Sequence, residues 1–192
     1  MFRADQLDID RAMVLVVDLQ AKLLPLIHGQ ADVVAHARQL LLGTHIFHLP
    51  VIVTEQYPKG IGRTDPSVVE AASDAQFFEK AAFSVWSDDN AREAMLRLDR
   101  PQVIVTGIET HVCVQQSALD LRSRDYDVFV CADAVGSRTQ IDHEVGLSRM
   151  RQSGVLVTTV ESVLFELCQR CDTPSFKAMI EIIKKHDAVK PR

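Results

Sequence analysis

No stretch of this 192-residue chain approaches the ~20 consecutive apolar residues that a membrane-spanning helix requires. The first residues, MFRADQLDIDRAM, carry three Asp and no apolar segment, which argues against a secretory leader and disfavours a mitochondrial one. Runs of Lys and Arg are missing too. With 21 basic against 26 acidic residues the chain carries −5, and its nearest basic cluster, KKHDAVKPR, is broken by Asp187. That cluster reads as a solvated tail, and nucleic acid is not an expected partner. Cysteine is sparse, at positions 113, 131, 168 and 171. Without a leader these read as reduced thiols of a cytoplasmic compartment, not a disulfide frame, with association with an organelle left open. No internal repeat and no low-complexity linker divides the chain, so residues 1–192 read as a single domain. At 47% hydrophobic and 24% charged, it has the apolar content to bury a full core.

What the sequence does have is an alternation. AMVLVVD (12–18), VIVTE (51–55), QFFEK (76–80), QVIVTG (102–107), DVFVCAD (127–133) and VLVTTV (155–160) read as strands, most of them apolar throughout. Helical spacing fills 31–47, 88–98, 111–124 and 138–154, and two short helices close the chain at 161–170 and 174–186. Ser137 is a candidate N-cap and Gly154 a C-terminal stop. Strands without a polar face, alternating with helices, predict an α/β fold around a parallel sheet. Ligands of such sheets bind beyond the carboxyl ends of the strands.

Asp18, Lys80 and Cys113 all stand at such ends. A thiol there is a candidate nucleophile, Asp18 a base for its proton and Lys80 a positive charge that favours the thiolate. The start of a helix, with Thr110 as cap, would lower the thiol's pKa further. Each residue alone has a blander reading: a cysteine as a small core hydrophobe, an aspartate as a cap, a lysine in solvent. Their coincidence at one sheet edge is what points to chemistry.

The pieces VVDLQ (16–20), TEQYPKGIG (54–62), FEKAAFS (78–84), TGIETHVCV (106–114) and DAVGSR (133–138) occur in this order and resemble the isochorismatase-like cysteine hydrolases. The similarity is greatest to the metal-free branch, the isochorismatase domain-containing proteins. The resemblance implies a three-layer, Rossmann-like α/β/α fold with a six-stranded parallel sheet of order 3-2-1-4-5-6. It implies the triad Asp18, Lys80 and Cys113. It also implies a cis peptide between Ile108 and Glu109 and an oxyanion hole from the N–H groups of Glu109 and Cys113. The pocket walls would come from Gln20, Glu55, Gln56, Tyr57, Phe83 and Trp86. The expected reaction is hydrolysis of a small amide, carbamoyl compound or ester through a thioester. No cofactor is implied, and a homo-oligomer is, with the helix at 138–154 and MIEIIKK near the C-terminus as interface material.

Two departures narrow this. Nicotinamidases of the superfamily hold zinc near the second strand, where this chain reads TEQYPKGIGRTDPS without a histidine, so no metal is expected. Isochorismatases proper lack a thiol where this chain has Cys113. A catalytically weak relative acting as a binding or scaffold protein is the competing reading. CQRC (168–171), Cys131 and the GIG turn at 60–62 carry no chemistry of their own, and His111 points away from Cys113.

Overall fold

The computed structural model describes residues 6–187. The leader reading at residues 1–5 and the tail reading at 188–192 lie outside the described residues. Six strands, β1 (Ala12–Val17), β2 (Val51–Gln56), β3 (Gln76–Lys80), β4 (Gln102–Ile108), β5 (Asp127–Gly136) and β6 (Leu156–Thr158), form one sheet of order β3-β2-β1-β4-β5-β6. Every neighbouring pair is parallel.

The pleat explains why these strands lack a polar face. Val14, Val16, Val53 and Ile104 point to one side of the sheet. There they meet α1 (Gln30–Phe47), α3 (Pro66–Ala71), α7 (Val160–Cys168) and α8 (Pro174–Asp187). Met13, Leu15, Val17 and Val105 point to the other side. That face is covered by α4 (Asp89–Leu98), α5 (Gln115–Arg122) and α6 (Gln140–Gln152). Alternate residues of one strand therefore enter different cores, and both must be apolar. A short helix, α2 (Pro58–Ile61), follows β2. No helix among the described residues is long and apolar enough to cross a membrane.

Several boundaries differ from the sequence expectation. Thr139, not Ser137, caps α6, its hydroxyl accepting from the Asp142 N–H. Strand β6 stops at Thr158 because Val160 already opens α7, its N–H donating to the Asp133 carboxylate. Gly154 follows α6 at φ +83°, as a left-handed stop requires. Within MIEIIKK, Met179 and Ile183 are buried in the core that includes α1, while Ile180 and Ile182 are partly exposed.

The edge that matters is shaped by two irregularities. Val105 pairs with Val130 but Gly107 pairs with Val135, so β5 advances five positions while β4 advances two. The Thr106 hydroxyl donates to the Ala134 carbonyl at 2.6 Å and pins this bulge. As a result β5 runs on past Asp133 to Gly136. Gly107 has φ +128°, and a Cβ there would fall on the Val17 carbonyl, well inside van der Waals contact. The end of β4 therefore lies against the end of β1 only because position 107 has no side chain.

Replacing Gly107 by Ala is expected to lower unfolding stability by about 3 kcal/mol or more, combining backbone strain with a clash that backbone atoms cannot relieve. Gly29→Ala, where φ is +65° but nothing lies within 4 Å, is expected to lose about 1 kcal/mol. Urea denaturation of both variants checks the difference; equal losses would contradict the close-approach argument.

Candidate active site

Asp18 directly follows β1, Lys80 closes β3 and Cys113 lies five residues after β4. Three separate strand ends thus bring their side chains to one point. All three residues are at least 93% buried. The Lys80 ammonium donates to Asp18 Oδ2 at 2.6 Å, to Gln56 Oε1 at 2.7 Å and to the Ala82 carbonyl at 3.2 Å, so each of its three protons has an acceptor. Asp18 Oδ1 accepts from the Thr54 hydroxyl at 2.8 Å. Asp18 itself is left-handed, at φ +52°, a conformation a short polar side chain tolerates.

The charges of Asp18 and Lys80 both act on the buried Cys113 thiol. Burial pushes its pKa from 9.0 up to about 12; the negative charge of Asp18 adds to the rise and Lys80 opposes it. The expectation of a depressed thiol is therefore corrected: the resting group is a neutral thiol. Desolvation is the largest cause, and the charge of Asp18 acts against that of Lys80.

The turn that carries Cys113 also differs from the expected α-helical start. Residues Thr110–Val114 form a π-helical turn in which the Val114 N–H donates to the Glu109 carbonyl at 3.2 Å. Thr110 is not a cap; its hydroxyl pairs with His143 Nδ1 at 3.0 Å. The Ile108–Glu109 peptide is cis. The Glu109 carboxylate accepts from the Arg138 N–H and Nε. His111 faces away from the thiol and pairs with Ser137 Oγ at 3.0 Å.

The six expected pocket residues divide. Gln56 touches Lys80, and its amide also donates to the Ala81 carbonyl. Tyr57 and Phe83 are more than half exposed. Gln20 is a buried brace instead of an open wall. Its amide donates to the carbonyls of Gln56 and Gly62 and accepts the Gln56 N–H, which ties the loop after β2 down. Glu55 is likewise closed, accepting from Thr64 and from Arg63. Burial alone would raise its pKa; the Thr64 N–H, with Arg63 and the Thr64 hydroxyl, outweighs that and holds it low. Arg63 reaches across to Glu79 as well, so both carboxylates already hold a cation from the protein. Trp86 is elsewhere. Its ring packs edge-on against Tyr126 and under Arg124, and it lines a cavity of about 270 Å³ that includes Pro101 and Asp125. Pro101 and Tyr126 precede β4 and β5, so that cavity faces the opposite edge of the sheet. The roomier cavity of about 720 Å³ also faces away from Cys113, among His48, Pro50, Asp74 and Arg100.

Sequence reasoning missed Thr54 and His143. Thr54, the first hydroxyl after the apolar run 51–53 of a buried strand, was the one with a visible signal.

The buried pair makes a sharp stability prediction. Lys80→Met leaves Asp18 buried without its cation, and a loss of about 3–5 kcal/mol at pH 7 is expected in urea denaturation. Adding Asp18→Asn to that variant should restore more than half of it. A double variant no more stable than Lys80→Met alone would contradict the pairing.

An Isochorismatase domain family profile matches residues 12–162. Isochorismatase domain-containing protein 2 of Xenopus laevis is 39% identical over 91% of this chain and 84% of its own length. The MAR1 ribonuclease structure from Caenorhabditis elegans is 34% identical, covers 93% of this chain and 92% of its own, and superposes with a TM-score of 0.88. The YcaC protein of Escherichia coli, an octameric hydrolase of unknown specificity, is 25% identical and covers 99% of this chain and 100% of its own, with a TM-score of 0.86. A sheet of the same order, flanked on both faces by helices, together with a match over most of the chain, places this protein in the isochorismatase family of hydrolases.

Proposed function

We propose that the chain, acting as one domain over residues 1–192, is a cysteine hydrolase of small amides, carbamoyl compounds or esters. The observation that carries this is the convergence of a buried thiol, carboxylate and ammonium from three strand ends, the ammonium 2.6 Å from the carboxylate and both charges acting on the thiol.

Because the thiol titrates near 12, the thiolate is made during attack, not beforehand. Asp18 accepts the Cys113 proton as sulfur bonds to the substrate carbonyl carbon. The N–H groups of Glu109 and Cys113 receive the oxyanion, a contribution worth about 3 kcal/mol for one such donor in other hydrolases. Asp18 then passes its proton to the leaving amine or alkoxide as the C–N or C–O bond breaks. Water attacks the thioester, Asp18 takes a proton from it, and that proton returns to sulfur. Lys80 keeps Asp18 aimed, and its charge favours the thiolate. Gln56 holds Lys80, while Tyr57 and Phe83 supply the exposed rim through which a metabolite-sized substrate enters.

We also propose a homo-oligomer. The E. coli relative is an octamer. On α6, Ile141 and Val145 are 63% and 56% exposed, an apolar pair on a surface that a second copy would cover. Light scattering after gel filtration is expected to give more than one copy, and Ile141→Arg with Val145→Glu to reduce the number; a monomeric wild type would dismiss the idea.

The C. elegans relative is a ribonuclease, which makes RNA the second substrate to test. The net charge of −5 gives little attraction to phosphate.

The test separates reactivity from turnover. Cys113 alkylation by iodoacetamide, followed by peptide mass spectrometry, should rise about tenfold per pH unit through 9.0 without a plateau. Asp18→Asn removes a charge that raises the thiol pKa, so alkylation at pH 8 should quicken about threefold or more; Lys80→Met should slow it. Hydrolysis in a panel of primary amides, carbamoyl compounds and esters should vanish in all three of Cys113→Ala, Asp18→Asn and Lys80→Met. Alkylation that ignores both charges would refute the assembled triad. Wild type without turnover on any of the panel would favour a binding or scaffold role, and RNA cleavage lost in Cys113→Ala would favour the ribonuclease reading.

A further inference from the structure

Three consecutive residues separate the end of β4 from the turn's interior, and each is bonded to one short stretch of chain. Glu109 accepts from Arg138 N–H and Nε at 3.1 and 3.0 Å. Thr110 Oγ1 pairs with His143 Nδ1 at 3.0 Å. His111 Nδ1 pairs with Ser137 Oγ at 3.0 Å. Behind them Gly146 brings α6 against the turn, since a Cβ there would stand 3.1 Å from the His111 Cα. The stretch 137–146 is thus moulded to residues 109–111, and none of its side chains is part of the triad.

Within this clamp one bond differs from the others. Thr110 is completely buried, so its hydroxyl has no exchange with bulk water, and His143 is the partner the fold supplies. The Arg138 and Ser137 contacts hold the flanks, whereas Thr110 heads the π-helical turn that ends with Cys113 and Val114. A shift of Thr110 must move the N–H of Cys113, because only two residues lie between them.

We propose that His143 is a positioning residue for the nucleophile turn: through the Thr110 hydroxyl it holds the backbone from Glu109 to Cys113 where sulfur and the N–H donors meet the substrate carbonyl. The proposal rests on Cys113 as the nucleophile. Burial also keeps the His143 pKa below 6.5, with Glu144 opposing and Arg151 and His28 adding, so the imidazole is neutral at neutral pH. A misplaced reacting group of this kind reduces rate more than binding.

The test uses p-nitrophenyl acetate, whose acetyl group would pass to the Cys113 sulfur with release of p-nitrophenolate. His143→Leu is expected to lower kcat about tenfold with KM within about twofold. His143→Asn, whose side-chain oxygen reaches the place of Nδ1, should stay within about threefold of wild type. Thr110→Val should match His143→Leu, and the double variant should be no worse than either single one. The second measurement needs no substrate: hydrogen exchange of the 109–114 segment should quicken about tenfold in His143→Leu and Thr110→Val and stay unchanged in His143→Asn. If Cys113→Ala keeps full esterase activity, the nucleophile reading and this proposal fall together. If Cys113→Ala is inactive while His143→Leu retains wild-type kcat, or if exchange in the turn is the same in every variant, the positioning role alone is overturned.

Discussion

The ion pair between Asp18 and Lys80 is the constraint around which the sheet edge is organised. Removing a carboxylate and an ammonium from water costs several kcal/mol apiece, and attraction repays that only when every remaining donor and acceptor is satisfied. Here they are. Lys80 places its protons on Asp18, Gln56 and a carbonyl, and Asp18 takes its further bond from Thr54. The pair spans β1, β2 and β3, so it can form only when those strands are in register. Gln20 and Glu55 then have an intelligible part: they fasten the loop after β2, and with it the Gln56 carbonyl and N–H, so that Gln56 keeps its side chain on Lys80.

The same pair sets the character of the thiol. Asp18 raises the thiol's pKa and Lys80 lowers it, while desolvation is the largest cause for a group this deeply buried. A neutral thiol is inert toward adventitious electrophiles at neutral pH. In the proposed mechanism it becomes nucleophilic only as Asp18 accepts its proton and a carbonyl arrives. Reactivity is thereby tied to a correctly placed substrate, which a free thiolate at this depth would not achieve.

The fold was legible because burial on both faces forces a composition that little else produces. The apolar run at 12–17 and its successors announce a covered parallel sheet, and the chemistry-bearing ends follow from that geometry. Asp18, Lys80 and Cys113 could be found this way since each terminates or follows a strand. What could not be read was the use made of neighbouring polar side chains. Gln20 and Tyr57 are both polar residues after strands, yet one is a sealed brace and the other an exposed rim; the distinction lies in loop paths set by tertiary contacts. Trp86 was misplaced for the same reason, its ring being drawn to Tyr126 and Arg124 on the far edge. The π-helical turn leaves no signature in THVCV, and the close packing of Gly146 of α6 on His111 leaves none either.

The two flanks of Cys113 are built from different physics, and this explains why both are needed. On the β1–β3 side the groups are charged, buried and fully paired, so they resist displacement but would tolerate no vacancy. On the β5–α6 side Arg138 meets the Glu109 carboxylate, two side-chain bonds tie Thr110 and His111, and Gly146 lets α6 approach His111, while Gly107 brings the end of β4 against Val17 of β1. Charges fix where protons go; glycine contacts fix where backbone donors stand. The proposed hydrolysis needs both, since proton transfer without an oriented oxyanion site, or the reverse, leaves much of the barrier in place. The cysteine sits at the seam because a thiol is small and apolar enough to be buried there, yet gains a proton acceptor on one side and a rigid turn on the other.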